Sequence, residues 1–224
     1  MKPVVLIALA VLLLGCTSGC TTTCGGRATL NKRPTEWAQP YLLAGVCNLY
    51  EVSDNKVLDN KVSDNKVSAN LYRSAQPTAG GMVNLKASGI TTVVSLRSFH
   101  SDRDEIGDTK LKYEHIYMKA WHPEEEDIIK FLKIVKASDK TPVLLHCQHG
   151  SDRTGTMCAL YRIIVQGWPK TKAIDEMRCG GFGFHKIWEN LAAWINSLDL
   201  ERIRAKAGIN TVLYTGPEPA SICR

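Results

Sequence analysis

From residue 70 onward, two hydrophobic patterns alternate along the chain. Short apolar or β-branched runs bounded by turn residues read as buried strands; longer segments with apolar positions three and four apart read as helices. Asn70 to Gln76 predicts a strand that Pro77 stops. Thr78 is suited to cap a short helix over 79–88, and Gly89 ends it. Ile90 to Leu96 reads as a buried parallel strand, with polar residues 97–109 as a loop at its C-terminal end. Tyr113 to Met118 is a further strand. Pro123 opens a helix whose first turn holds Glu124, Glu125, Glu126 and Asp127, a match to the helix dipole, with Ile128, Phe131, Leu132 and Val135 on one apolar face. Val143 to Leu145 is another buried strand. The segment 154–166 is apolar almost all round, which predicts a central buried helix stopped by Gly167. Lys170 to Arg178 and 185–206 complete the helices, the last with Ile187, Leu191, Trp194 and Leu198 as its stripe. The alternation predicts an α/β class, with a central, mainly parallel sheet flanked by helices. Ligands of such sheets bind beyond the strand C-termini.

The first 69 residues follow other rules. Lys2 and the apolar run Val4 to Leu14 have the charge and length of a signal peptide and are too short for a comfortable membrane span. The run closes as Leu13-Leu14-Gly15-Cys16, which resembles the bacterial lipoprotein signal, in which the cysteine is lipidated after cleavage before it. That resemblance implies a protein of the cell envelope, held at a membrane outside the cytoplasm through Cys16. An ordinary signal peptide is the alternative. Residues 17–35 lack periodicity and read as a tether. Cys20 and Cys24 lie in it and receive no role. From Val52 a pentapeptide repeats: Val-Ser-Asp-Asn-Lys, Val-Leu-Asp-Asn-Lys, Val-Ser-Asp-Asn-Lys. A period of five suits neither helix nor strand, the copies are too few to stack, and Asp-Asn pairs favour turns. A surface loop is expected; a Ca²⁺ loop would want glycines and a closing Glu. The expected organisation is a signal peptide over 1–15, tether and loop over 16–69 with the repeat at 52–71, a folded domain over 70–207, and a tail over 208–224.

With 224 residues the chain can bury one proper core. The formal net charge of +6 suits anionic substrates. No long Lys/Arg block accompanies it, so a nucleic-acid partner is not expected. Eight cysteines are too few to scaffold a chain of this length.

The chemistry concentrates at 142–157. A buried strand ends in His146-Cys147; Gln148, His149, Gly150, Ser151 and Asp152 follow; then come Arg153-Thr154-Gly155 and the apolar helix. A strand, a tight polar loop and a helix N-terminus form a ready anion site. A thiol attacks only as the thiolate, and backbone N–H groups, a helix N-terminus and a guanidinium all favour that anion. Arg153 can grip two phosphate oxygens with its planar fork, which Lys could not. Gly150 permits a tight loop and Gly155 close helix packing. A zinc site from His146, Cys147, His149 and Cys158 is disfavoured because adjacent residues seldom reach one metal and Arg153 would repel it. A purely structural Cys147 also remains an alternative.

His146-Cys147-x5-Arg153-Thr154-Gly155 resembles the signature of the cysteine-based protein tyrosine and dual-specificity phosphatases, and 70–197 resembles their compact dual-specificity branch. A rhodanese-type loop is usually shorter to its arginine. The resemblance implies the dual-specificity-like fold and a phosphomonoesterase without metal or cofactor. Cys147 would be the nucleophile that becomes a phosphocysteine, and Arg153 would hold the phosphate. Thr154 would hydrogen-bond the thiolate, and His146 would orient the loop. Gln148, His149, Gly150, Ser151 and Gly155 would make up the substrate cradle. The substrate would be a phosphotyrosine or phosphoserine/threonine protein, with phosphoinositides or small phosphate esters as one alternative and a phosphate-binding module without turnover as another. The family usually supplies an acidic Asp from a loop before the cysteine. Here that segment reads Lys119-Ala-Trp-His-Pro-Glu124 and has none. Asp152 is the favoured replacement, with His122, Glu124, Asp102 and Asp104 as others. Gly180-Gly181-Phe182-Gly183-Phe184 is either a helix-to-helix turn or a pocket wall that offers a Phe to an aromatic substrate, and Trp121 is a candidate for the rim. Cys158 or Cys179 could shield Cys147 through a reversible disulfide.

Overall fold

The computed structural model describes residues 33–52, 70–137, 140–211 and 213–223. The signal segment, Cys16, Cys20, Cys24 and the pentapeptide repeat from residue 53 lie outside the described residues. Six strands form one sheet in the order β1-β2-β3-β6-β4-β5. They are β1 (Gln39–Pro40), β2 (Tyr50–Glu51), β3 (Leu71–Ser74), β4 (Thr92–Ser95), β5 (Lys112–His115) and β6 (Val143–His146). The run β3-β6-β4-β5 is parallel, while β1 and β2 add to it antiparallel. β6 is central, so the strand that delivers Cys147 is bonded on both sides. Leu71, Val143 and Leu145 face one core with Val94, and Tyr72, Leu144 and Val93 face the other. This is the period of two expected of strands buried on both faces.

The helices are α1 (Ala79–Ser88), α2 (Arg103–Ile106), α3 (Glu125–Lys136), α4 (Asp152–Ile164), α5 (Lys170–Cys179), α6 (Glu189–Ser197) and α7 (Leu200–Ala207). The ends of α1 match the sequence reading. Thr78 Oγ1 accepts from the Gly81 N–H, and Gly89 closes the helix at φ 105°, where a Cβ would be strained. Every α4 residue but Arg153 is buried, in line with its apolar circumference.

Four expectations need correction. The loop 97–109 contains α2. The single helix over 185–206 is three pieces: a 3₁₀ turn at Lys186–Trp188, then α6 and α7. The break follows from Asp199, whose carboxylate accepts from the Arg202 N–H and so caps a new helix. The break also shifts the stripe: Ile187 is 80% exposed, while Leu191 and Ile195 are buried. The tether also ends earlier than residue 69. Residues 33–52 are folded onto the domain: Trp37 and Val52 are buried, and the Ala38 N–H donates to Glu176 Oε1 at 2.5 Å. Glu176 in turn takes both Nε and Nη2 of buried Arg162 at 2.8 and 2.9 Å. Finally, 208–224 is no loose tail. Cys223 is disulfide-bonded to Cys179, Glu218 accepts from the Lys170 and Thr171 N–H groups that open α5, and Asp175 accepts from Ser221 and Ile222.

Candidate active site

The loop from Cys147 to Arg153 joins the C-terminal end of the central strand to the first turn of α4. Its path depends on Gly150, at φ 72°, where any Cβ would strike the backbone of Ser74 and Ala75. Buried Arg73 donates from Nη2 to the Gly150 carbonyl at 2.7 Å and lies 3.6 Å over the Phe182 ring. Gln76 N–H donates to the Gln148 carbonyl at 3.2 Å. The loop is therefore held from below by β3 and its extension. Arg73 escaped the sequence reading. Its one signal is a cation inside a strand too short and too buried to leave it in water.

Two His–Asp pairs flank the loop. His146 Nε2 lies 2.5 Å from Asp102 Oδ2, with neither side chain exposed, and Gln76 Nε2 also donates to Asp102 at 3.2 Å. Burial alone would raise the Asp102 carboxyl. The hydrogen bond and charge of His146, then Gln76 and His100, outweigh it and hold the group below its ordinary value. At the other end, Asp152 opens α4. Its Oδ1 accepts from the His185 N–H at 2.8 Å, and His185 Nδ1 lies 3.1 and 2.9 Å from its two oxygens.

A cleft of about 380 Å³ opens over the loop, lined by Gln148, His149, Asp152 and Arg153, by Arg97, and by His185. Phe99, Trp121 and Ile187 form its apolar rim and are 89%, 60% and 80% exposed. Cys147 itself is 2% exposed. Arg153 donates from Nη1 to the Leu96 carbonyl at 3.0 Å, which sets the plane of its fork at the end of β4. Thr154 Oγ1 is buried and without a protein partner, which leaves it available to a thiolate.

The structure sorts the expected residues. Gln148 and His149 face the cleft. Ser151 spends its hydroxyl on the Phe182 carbonyl at 2.7 Å. Gly155 does not belong to the cradle: its N–H donates to the Ser151 carbonyl within the helix, and a Cβ there would press on Met177 at 3.0 Å, so its role is packing against α5. Among the acids considered, only Asp152 lines the cleft. Asp102 is sealed, and Asp104 borders a separate groove beside α1. His122 and Glu124 lie 3.8 Å from each other, both well exposed. Phe182 is 2% exposed beneath Arg73 and beside Tyr50, so 180–184 is a turn and not a wall that offers a ring to substrate. Of the two cysteines considered as a shield, one is already spent. Cys179 is bonded to Cys223, and burial pushes the Cys158 thiol up to about 11. Two contributors come from sequence regions that gave no warning. Asn48 Nδ2 donates to the His149 and Phe182 carbonyls at 2.9 and 3.0 Å, and His185 follows a glycine-rich turn.

The comparisons agree with this arrangement. A family model described as DSP-PTPase phosphatase fused to NAD+ kinase matches residues 43–192. The dual specificity protein phosphatase TpbA of Pseudomonas aeruginosa is 35% identical over 135 residues, 60% of this chain and 62% of that protein, so the match spans less than two thirds of the relative. The crystal structure of P. aeruginosa TpbA superposes with a TM-score of 0.64 at 31% identity, over 79% of this chain and 99% of that one. A Cys-to-Ser variant of it, in complex with phosphotyrosine, aligns with the same TM-score at 30% identity and the same coverage. The catalytic core of the PP-IP phosphatase SIW14 from S. cerevisiae shares the fold, with a TM-score of 0.55 at 21% identity over 67% of this chain and 97% of that one. By its sheet, its loop and these matches, the chain belongs to the dual-specificity (DSP-PTPase) family of cysteine-based phosphatases.

Proposed function

We propose that the protein hydrolyses phosphate monoesters through a phosphocysteine on Cys147, with phosphotyrosine or phosphoserine/threonine protein as substrate. One observation carries the reading. The cysteine directly follows the central strand, and the arginine at the end of its loop is anchored beside the neighbouring strand while lining the cleft that opens over that loop. Backbone N–H groups of the loop, the N-terminus of α4 and Arg153 would bind three phosphate oxygens and the charge that grows on them. Thr154 would hydrogen-bond the thiolate, and the Asp102–His146 pair would keep the loop in place.

Turnover of p-nitrophenyl phosphate under reducing conditions tests this. Cys147→Ser is expected to abolish it, Arg153→Lys to reduce it nearly as far, and EDTA to leave it unchanged. A protein that binds phosphate but releases no nitrophenol would instead be a binding module. Arg97, His149 and His185 line the cleft beside Arg153 and offer more nitrogen donors than a single phosphoryl group needs, which favours small polyphosphorylated esters or phosphoinositides as a second reading. Comparing kcat/KM on phosphopeptides and phosphoinositides separates the two.

The protein is proposed to sit in the cell envelope, tethered to a membrane by lipid on Cys16. The Cys179–Cys223 disulfide supports this, since such bonds persist outside the reducing cytosol. Two or more acyl chains would hold it firmly. Cys16→Ser is expected to release the protein from the membrane fraction.

A further inference from the structure

We propose that His185, oriented by Asp152, is the proton donor to the leaving group. The inference rests on the phosphatase reading above and assigns that reading's missing acid. The favoured carboxyl, Asp152, is placed as an acceptor. Its Oδ1 faces the His185 N–H and ring Nδ1, its Oδ2 faces the same Nδ1, and its side chain is only 10% exposed. A carboxyl acting as the acid would direct an O–H toward the ester, whereas both oxygens of Asp152 face nitrogens of His185. The imidazole and Asp152 both line the cleft with Arg153, but the ring is 50% exposed and the carboxylate 10%, so the ring is the more open of the two to a bound ester. Nδ1 is committed to Asp152, which leaves Nε2 for the substrate. A buried carboxylate behind an imidazole fixes its tautomer and stabilises its cation, the division of labour seen in Ser-His-Asp hydrolases.

The ring is also held in position. His185 follows a turn whose Phe182 carbonyl accepts from both Ser151 Oγ and Asn48 Nδ2, and whose Phe182 ring lies under Arg73. The same Ser151 and Arg73 hold the Cys147 loop. Donor and nucleophile thus share one frame, as a proton transfer over hydrogen-bond distance requires.

The reaction then balances. The Cys147 thiolate attacks phosphorus, an S–P bond forms and the ester P–O bond breaks. The departing oxygen keeps the electron pair and takes the proton from His185 Nε2. In the second step water attacks phosphorus, its proton passes to the neutral Nε2, and the S–P bond breaks to restore the thiolate.

The test is His185→Asn, because the Asn amide stands near the position of Nδ1 and keeps a donor to Asp152 while removing Nε2. First-turnover rates are measured on p-nitrophenyl phosphate, phenyl phosphate and a phosphoserine peptide. The expected result is the smallest loss on the nitrophenyl ester, whose leaving group needs no proton. The phosphoserine rate should fall roughly 10²–10⁴-fold, the usual worth of general acid catalysis, with phenyl phosphate between. On the nitrophenyl ester a burst of one equivalent should appear before slowed hydrolysis. Equal losses on all three esters, or none, would overturn the assignment and make His185 a structural partner of α4. If the Asn variant does not fold, a folded His185→Gly is tried with added imidazole. Saturable rescue on the phosphoserine peptide supports the proposal, and absence of rescue overturns it. A wild-type protein silent on every ester defeats the phosphatase reading itself.

Discussion

The same two side chains, a histidine and an aspartate, meet at both ends of the Cys147 loop, and their surroundings give them opposite uses. His146–Asp102 lies just before the cysteine, with both side chains wholly buried. Asp152–His185 lies just before the arginine, with the imidazole half exposed to the cleft. In the first pair the histidine is on the strand and the aspartate comes from the loop before α2. In the second the aspartate is on the helix and the histidine comes from a turn. A sealed pair exchanges no proton with substrate; what it does is hold a strand end and a loop in one geometry. An open pair is a poor clamp, because water competes with it, but it can pass a proton. Exposure separates clamp from acid here, and residue type alone does not.

The largest effect expected from breaking this contrast is on stability at the sealed end. Asp102→Ala leaves a buried imidazole without its partner, which costs about 3–5 kcal/mol in comparable buried pairs. Urea denaturation at neutral pH measures it. The pH dependence has a definite sign. The folded Asp102 carboxyl lies below its ordinary value, so its contribution is fully present above the unfolded carboxylate range, near about 3.9, and is lost as pH falls through the lower folded value. The gap between wild type and variant should therefore shrink in acid. A gap independent of pH would mean that the pair is not ionic.

Next in size is the open end. Asp152→Asn still offers an acceptor to the His185 N–H but no longer stabilises an imidazolium. First-turnover rates on phenyl phosphate are expected to fall roughly 10²–10³-fold, about 3–4 kcal/mol of barrier, with the urea midpoint nearly unchanged. A large stability loss with equal slowing of all esters would show that this pair too is a clamp.

The sheet, α1 and the central helix were legible because each rests on local rules: β-branched runs, a Thr cap, a Gly stop, an apolar circumference. The candidate loop was legible because Cys147 and Arg153 sit at a spacing set by the loop itself. Asp102 was weighed as an acid because it is an aspartate on a loop near the strand ends, and nothing local reveals that His146 claims it from 44 residues away. His185 and Asn48 reach the site only through long-range pairing, at separations of 33 and 101 residues. Residues 33–52 looked like tether because β1 and β2 are only two residues each, too short for any periodicity to register. The division of 185–206 hinged on one capping carboxylate, Asp199.

The turn that carries His185 begins directly after Cys179, so the Cys179–Cys223 bond adjoins the open end. It closes a sequence separation of 44 residues. Loops of that order bring about 4 kcal/mol, by restricting the unfolded chain. Cys223→Ser should lower the urea midpoint accordingly and slow phosphoserine turnover modestly, as α5 and the turn loosen. Reduction of the wild type should reproduce both effects. The sealed pair predicts no change in the acid dependence described for Asp102, and a change there would show that the two ends of the loop are mechanically coupled.

The smallest effect tests whether the sealed pair is self-sufficient. His100 Nε2 lies 3.0 Å from Glu105 Oε1 and 3.7 Å from Asp102 Oδ1, with its side chain 31% exposed. It is the only group at the rim of the buried pair, among the described residues, that both touches solvent and forms an ion pair with Asp102. Asp102 already accepts from His146 and Gln76, so the more distant His100 charge adds to a carboxylate whose hydrogen bonds are made. Partly exposed pairs of this kind contribute about 0.2–1 kcal/mol. His100→Ala should therefore cost no more than that in urea denaturation and leave phosphatase rates within about twofold. If the cost instead approached that of Asp102→Ala, the buried pair would owe its stability to its solvent rim. The distinction between a sealed clamp and an open acid would then rest on a cluster of charges that reaches water at both ends of the loop.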